Sequence, residues 1–396
     1  MIIMKKPRVV EKLRHFHRMV RKNGNKMGTY VRGIDFNYNN SCNFRCQHCF
    51  TEAPKALHNR AQLSFEKIAE VADQADDLGI FEFDMQGGEL LLRPKLLFQL
   101  IEAIKPERFY LYLTTNGFLM DKEMAEKLAE AGVDRVSVSV DSIHPEEHDK
   151  FRGKKGAHEK ALEALEHIKN AGMAPYLNIT VGHYNAKSDD VRALLDYSKD
   201  HGYITLINVA TPAGSWRGNL DVMVNEDDLE YLGELRKEYG NIIRDIWDSF
   251  DKKHENILGC NAVNRTYITP AGDVLPCPYL HIKIGNVHEQ SLQDIVKYGF
   301  SVKHFHDHND LCLAGEDKAF ASKFLDQEMG VFNPVDAKTM FGEEDYVSKE
   351  AADAAKAYLA IPPSERFLSS DPLASAAKKS AAPAKMSGCA GCHAAR

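Results

Sequence analysis

Between residues 30 and 214 short apolar strands alternate with amphipathic helices, and no other feature of the sequence limits its fold as strongly. "YVRGIDFNYN" (30–39) predicts a strand, and "SFEKIAEVADQADDLG" (64–79) a helix opened by a serine cap. "IFEFDMQGG", "RFYLYLTTNG", "VDRVSVSVDS", "APYLNITVG" and "YITLINVATPAG" continue as strands, each ending near Gly, Asn, Thr or Asp and each separated from the next by a helical stretch. About six β/α units in a row imply a parallel sheet wound right-handed with helices outside, hence an α/β barrel, full or partial. Such a barrel places chemistry at the C-terminal ends of its strands.

The flanks read differently. Residues 5–26 hold nine Lys or Arg and one acid, Glu11, with Val9, Val10, Leu13, Phe16 and Val20 at helical spacing. This predicts a basic amphipathic helix over 1–29, which either packs on the body with its charges in water or contacts a membrane surface or an acidic partner. Around 255–300, "RTYITPAGDVLPCPY" predicts a β-hairpin in a smaller second module, and 331–368 a helical extension stopped by Pro362-Pro363. Residues 369–396 read as a flexible tail ending in "CAGCH". The net charge of −7 argues against nucleic acid as the main partner. The absence of a long apolar run or a signal-peptide core predicts a cytoplasmic chain, in which clustered cysteines bind metal more often than they form disulfides.

Three of the 8 cysteines, Cys42, Cys46 and Cys49, fall in "SCNFRCQHCF" just after the first strand. A structural zinc site takes four ligands, and no fourth cysteine follows nearby; His48 is a poor substitute beside Cys49. A [4Fe–4S] cluster held by three thiolates leaves one iron open to a substrate or cofactor, which is a chemical reason for three.

This C-x3-C-x2-C spacing resembles the signature of the radical S-adenosylmethionine (SAM) enzymes, and the resemblance runs from about residue 30 to 215. It implies that Cys42, Cys46 and Cys49 bind a [4Fe–4S] cluster whose open iron is chelated by SAM. Reductive cleavage of SAM then gives a 5′-deoxyadenosyl radical that abstracts a substrate hydrogen. Gly87, Gly88 and Glu89 ("GGE") match the family's motif for the SAM amino group, with Leu90 where the family usually has Pro. The resemblance further assigns Thr115 and Asn116 of "TTNG", then Ser139, Asp141, Arg152, Asn178 and Thr180, to the SAM pocket. Trp216 and Arg217, after the sixth strand, become candidate substrate contacts.

Cys260 and Cys277 bracket the predicted hairpin, so that both thiols return to one end; "IGNVHEQSLQDI" follows. This resembles the SPASM/twitch extension that carries an auxiliary [4Fe–4S] cluster, with Cys312 as third ligand. The fourth ligand is left open between a tail cysteine (Cys389 or Cys392), another side chain and substrate. The expected fold is thus a partial (β/α)6 barrel of the radical SAM type over 30–220, with a small C-terminal α+β auxiliary-cluster domain within 221–330. The expected substrate is a small molecule, such as a sugar, cyclitol or lipid headgroup. Two alternatives remain: a maturase of ribosomally made peptides, against which stands the short segment before the first strand, and a non-catalytic iron–sulfur electron carrier. The resemblance also implies a flavodoxin- or ferredoxin-like electron donor.

Overall fold

A computed structural model describes residues 6–53, 62–249, 251–325 and 328–360. The tail with Cys389 and Cys392 lies outside the described residues, so its expected mobility and metal chemistry are untested. In chain order the elements are α1 (Pro7–Lys22), β1 (Gly33–Asn37), α2 (Phe65–Asp77), β2 (Glu82–Gln86), α3 (Pro94–Ile104), β3 (Tyr110–Thr115), α4 (Lys122–Glu130) and β4 (Arg135–Ser139). There follow α5 (Pro145–Arg152), α6 (Ala157–Asn170), β5 (Ala174–Val181), α7 (Asp189–Asp200), β6 (Ile204–Val209), α8 (Glu226–Tyr239) and β7 (Ile242–Ile243). The C-terminal part adds β8 (Arg265–Ile268), β9 (Asp273–Leu275), β10 (Ile282–Lys283), β11 (Gly285–Asn286) and α9 (Leu292–Gly299).

Strands β1 to β7 lie side by side in chain order, all parallel, as the alternation predicts. Local chemistry starts the helices where expected: Ser64 accepts from the Lys67 N–H, Asp121 from Met124 and Ser188 from Val191. The predicted hairpin also forms, β8 antiparallel to β9. It does not stand in a sheet of its own, however. β8 pairs in parallel with β1, so the open edge of the barrel is continued by the C-terminal segment into one 10-stranded sheet. Pairing an exposed edge satisfies its backbone groups, and here it also brings the ends of the hairpin to the barrel mouth.

Alternation within the strands divides the two sides of the sheet. Ile34, Phe36, Phe83, Met85, Leu111, Leu113, Val136 and Val138 are fully buried in the main apolar core. Between them Asp35, Asp84, Tyr112 and Arg135 come side by side in register, forming a polar layer inside the barrel.

Helix α1 lies across the N-terminal end of the barrel. Val9, Phe16 and Val20 pack with Phe81 and Leu258. Lys6 Nζ reaches Asp134 at 2.5 Å and the carbonyls of Phe109 and Gly132, while Lys12 Nζ meets Asp76 at 2.5 Å. Three cations, Lys6, Arg8 and Lys12, are therefore tied to the protein's own acids. Arg14, Arg18, Arg21 and Lys22 remain exposed. No helix among the described residues is long and apolar enough to cross a membrane.

Candidate functional site

The loop after β1 carries the first three cysteines, and its course is set by backbone contacts from three directions. Glu89 N–H donates to the Ser41 carbonyl at 2.7 Å and Gly88 N–H to Asn39 at 2.8 Å. Arg45 and Gln47 donate to the carbonyls of Arg152 and Phe151 at the end of α5, and Ser215 N–H donates to Cys49 at 3.0 Å. Two glycines make this closeness possible. A Cβ on Gly88 would sit 2.3 Å from the Ser41 carbonyl oxygen, and one on Gly214 (φ 58°) 2.3 Å from that of Cys49. Helix α5 was not foreseen: "PEEHDKFR" is short and has no apolar stripe, so periodicity does not reveal it.

Cys42, Cys46 and Cys49 open into a cavity of ≈ 220 Å³, and Cys260, Cys277 and Cys312 line the same cavity. None of the six is in a disulfide. Each set is close enough to interact through charge: Cys42 with Cys46 and Cys49, and Cys277 with Cys260 and Cys312. Burial pushes Cys42 and Cys260 up to about 12, and raises Cys46, Cys277 and Cys312 as well; the Arg152 guanidinium opposes the rise at Cys46. Such thiols stay protonated at neutral pH unless a bound cation compensates the charge. No three His, Cys, Asp or Glu side chains among the described residues converge tightly enough for a single metal ion. Cavity-lining thiols in threes, near one another but not around one point, fit the separate corners of an iron–sulfur cube. The "HFHDH" histidines are taken up otherwise: His304 pairs with Asp345 at 2.9 Å, and His306 and His308 with nearby aspartates.

Of the residues expected around SAM, Gly87, Gly88, Thr115, Asn116, Ser139, Arg152, Asn178 and Thr180 line this cavity. Glu89 and Asp141 lie beside these lining residues and are engaged by protein donors. The Glu89 carboxylate, 1% exposed, accepts from Leu91 N–H at 3.0 Å, Asn116 N–H at 2.8 Å and the Thr115 hydroxyl at 2.9 and 3.0 Å. These bonds tie the turn after β2 to the end of β3. Burial raises its pKa, and the same bonds pull it back. Asp141 is likewise a holder: it takes Arg152 Nε at 2.5 Å and Thr180 N–H at 3.0 Å. The Arg152 pair holds its carboxyl below the usual range against a large burial effect, and Arg152 Nη1 lies 3.9 Å from Cys46 Sγ.

Trp216 lines the cavity, in an aromatic group with His48, Phe151 and Tyr184. Arg217 is exposed and pairs with Glu52 at 2.8 Å. His48 stacks on Phe151 with centroids 4.6 Å apart, and burial pushes it down to about 3, so its ring is neutral. The cavity also includes residues that sequence reasoning missed: Asp35, Asp84 and Arg135 of the polar layer, with Arg244, Asp245 and Arg265. A signal was present, since "GIDFN", "EFDMQ" and "RVSVS" alternate polar with apolar, whereas parallel strands buried on both faces are usually apolar throughout.

Comparison with known proteins agrees with this geometry. The radical SAM superfamily model matches residues 36–198, and that of the SPASM iron–sulfur cluster-binding domain residues 260–314. The GTP 3′,8-cyclase of Aliarcobacter butzleri is 30% identical over 262 residues, covering 60% of this chain and 77% of that protein. The chain belongs to the radical SAM superfamily. The AdoMet-dependent heme synthase of Methanosarcina barkeri, 28% identical over 283 residues, shares 64% of this radical SAM chain and 78% of its own. Streptococcus suis SuiB bound to the precursor peptide SuiA superposes with a TM-score of 0.51 at 16% identity, over 74% of this chain and 68% of SuiB, which establishes the fold alone. As a radical SAM enzyme with a SPASM segment, the protein has [4Fe–4S] clusters and SAM as its cofactors.

Proposed function

We propose that the cavity is a reaction chamber in which a substrate hydrogen is abstracted between two iron–sulfur centres. The observation that carries this is the placement of both cysteine sets on one cavity, with the Gly87–Gly88 backbone, Asn116, Asn178 and Thr180 in its wall. Cys42, Cys46 and Cys49 would hold one cluster, and Cys260, Cys277 and Cys312 the auxiliary one. When bound, the first cluster supplies the electron that cleaves SAM to methionine and the 5′-deoxyadenosyl radical. Gly87 and Gly88 leave room for the ligand's polar end, Asn116, Ser139, Asn178 and Thr180 offer hydrogen bonds along its length, and Arg152 places positive charge beside Cys46. Glu89 and Asp141 act through Thr115, Asn116, Arg152 and Thr180, which they hold in position.

A small-molecule substrate is favoured by the charged inner layer of the chamber, which suits compact polar groups. SuiB is solved with a precursor peptide, so peptide modification is the second reading, supported by likeness of fold only. The test is anaerobic reconstitution with iron and sulfide, reduction with dithionite, and assay of 5′-deoxyadenosine. About eight irons per chain are expected from two four-iron clusters. The joint Cys42, Cys46 and Cys49→Ala variant should retain about half that iron and form no 5′-deoxyadenosine. Iron near four in the unmodified chain would remove the auxiliary site from the reading. Candidate small polar molecules and peptides, each deuterated, are then compared for transfer of label into 5′-deoxyadenosine.

A further inference from the structure

Four arginines line the chamber, Arg135, Arg152, Arg244 and Arg265, and three of them are neutralised by the protein itself. Arg152 pairs with Asp141 at 2.5 Å, and Arg244 with Glu316. Arg265 spans Asp35 at 2.6 Å, Asp245 at 3.2 Å and Asp84 at 3.3 Å. Arg135 is different: no carboxylate among the described residues lies within ion-pairing distance of it, although it is only 8% exposed. Leaving a guanidinium enclosed without a counter-charge is costly, and buried arginines normally have a partner.

The group is also held for use. Its plane lies against Tyr176, 3.8 Å from the ring centroid, and Tyr112 at 4.4 Å, contacts that hold a cation without neutralising it. Nε and Nη2 donate to the Ser137 hydroxyl at 3.3 and 3.1 Å. Nη1 has no hydrogen-bond partner among the described residues and is not fully enclosed, and Arg135 is one of the residues that line the cavity. Nη1 and the second hydrogen of Nη2 are thus left as donors on a residue of the chamber wall. Asp84, whose charge acts on Arg135, is already engaged by Arg265, by Gln86 Nε2 at 2.6 Å and by the Thr114 hydroxyl.

We infer that Arg135 is the anchor for a carboxylate of the substrate, gripped at the inner layer of the barrel while the reacting carbon lies toward the cysteine loops. A planar carboxylate matches one guanidinium edge and one positive charge; a phosphate dianion would find no second free cation there. The inference rests on the chamber being the substrate site and names the class of substrate it selects.

The test uses the two-cluster enzyme and phenylglyoxal, which modifies accessible guanidinium groups, with adducts mapped by peptide mass spectrometry. Arg135 should be modified faster than ion-paired Arg265. Butyrate should slow its modification about tenfold at ten times its Kd, while butyramide at equal ionic strength should not. Thermal unfolding gives the second arm: butyrate should raise the Tm of the unmodified enzyme and leave that of Arg135→Gln unchanged, with Arg135→Lys between. An Arg135 that resists phenylglyoxal, or reacts at the same rate with and without butyrate, overturns the proposal, and this arm needs no variant to fold. Stronger protection by inorganic phosphate than by butyrate overturns the carboxylate assignment. Loss of 5′-deoxyadenosine formation with protection intact would instead count against the proposed reaction and leave the anion site standing.

Discussion

Replacing Glu89 by Gln tests whether its carboxylate serves the fold of the site or touches SAM itself. In the structure two backbone N–H groups and one hydroxyl point at its two oxygens. Glutamine keeps one acceptor oxygen and turns the other position into an NH2, which cannot accept from Leu91 or Asn116. The Thr115 hydroxyl can rotate to receive the amide, but one buried backbone N–H is left facing a donor. Losing a charge-assisted bond costs about 1.5–3 kcal/mol and leaving the donor unpaired about 1–3 kcal/mol; because the two overlap, the expected loss is about 2–4 kcal/mol. The assay is chemical unfolding of SAM-free, cluster-loaded protein under anaerobic conditions, alongside SAM affinity. Stability should fall by that amount before any SAM is added. SAM affinity should fall with it, because Thr115 and Asn116 line the cavity. Thr115→Val combined with Glu89→Gln should cost less than the two changes summed, since they share a bond. Unchanged SAM-free stability together with weakened SAM binding would refute the argument and return Glu89 to the ammonium.

Gly88→Ala should prevent loading of the first cluster and spare the auxiliary one, since its Cβ would meet the Ser41 carbonyl at 2.3 Å; iron analysis falling to about half checks this. Burial pushes Asp35 up to about 8 and Asp84 to about 6, so the folded state holds protons that the unfolded chain has released. Their contribution to stability is present below the ordinary carboxylate range and is lost as pH rises to about 8; Asp35→Asn should flatten the fall of Tm between pH 5 and pH 8.5, and an equal slope in the variant would contradict it. Arg217→Ala should leave SAM cleavage and iron content intact and cost at most about 1 kcal/mol, the usual worth of a partly exposed ion pair.

What the sequence determined by itself was local or periodic. A strand followed by a capped amphipathic helix announces itself through spacing, so the barrel strands from β1 to β6 and the helices α2, α3, α4, α6 and α7 could be placed in advance. The C-x3-C-x2-C loop and the "GGE" turn were equally legible, because each motif is a few adjacent residues whose backbone course carries the chemistry. Where side chains point depends on partners far along the chain, and that the tertiary structure alone decided. Glu89 is bound by Thr115 and Asn116 because β3 brings their donors to it. Arg217 is drawn outward by Glu52, and α5 forms without an apolar stripe because packing at His148 and Arg152 supports it. The pairing of β8 with β1 could not be read from either strand, since an edge finds its partner only when the sheet exists. That pairing puts Arg265 among Asp35, Asp84 and Asp245, and leaves Arg135 without a carboxylate partner among the described residues.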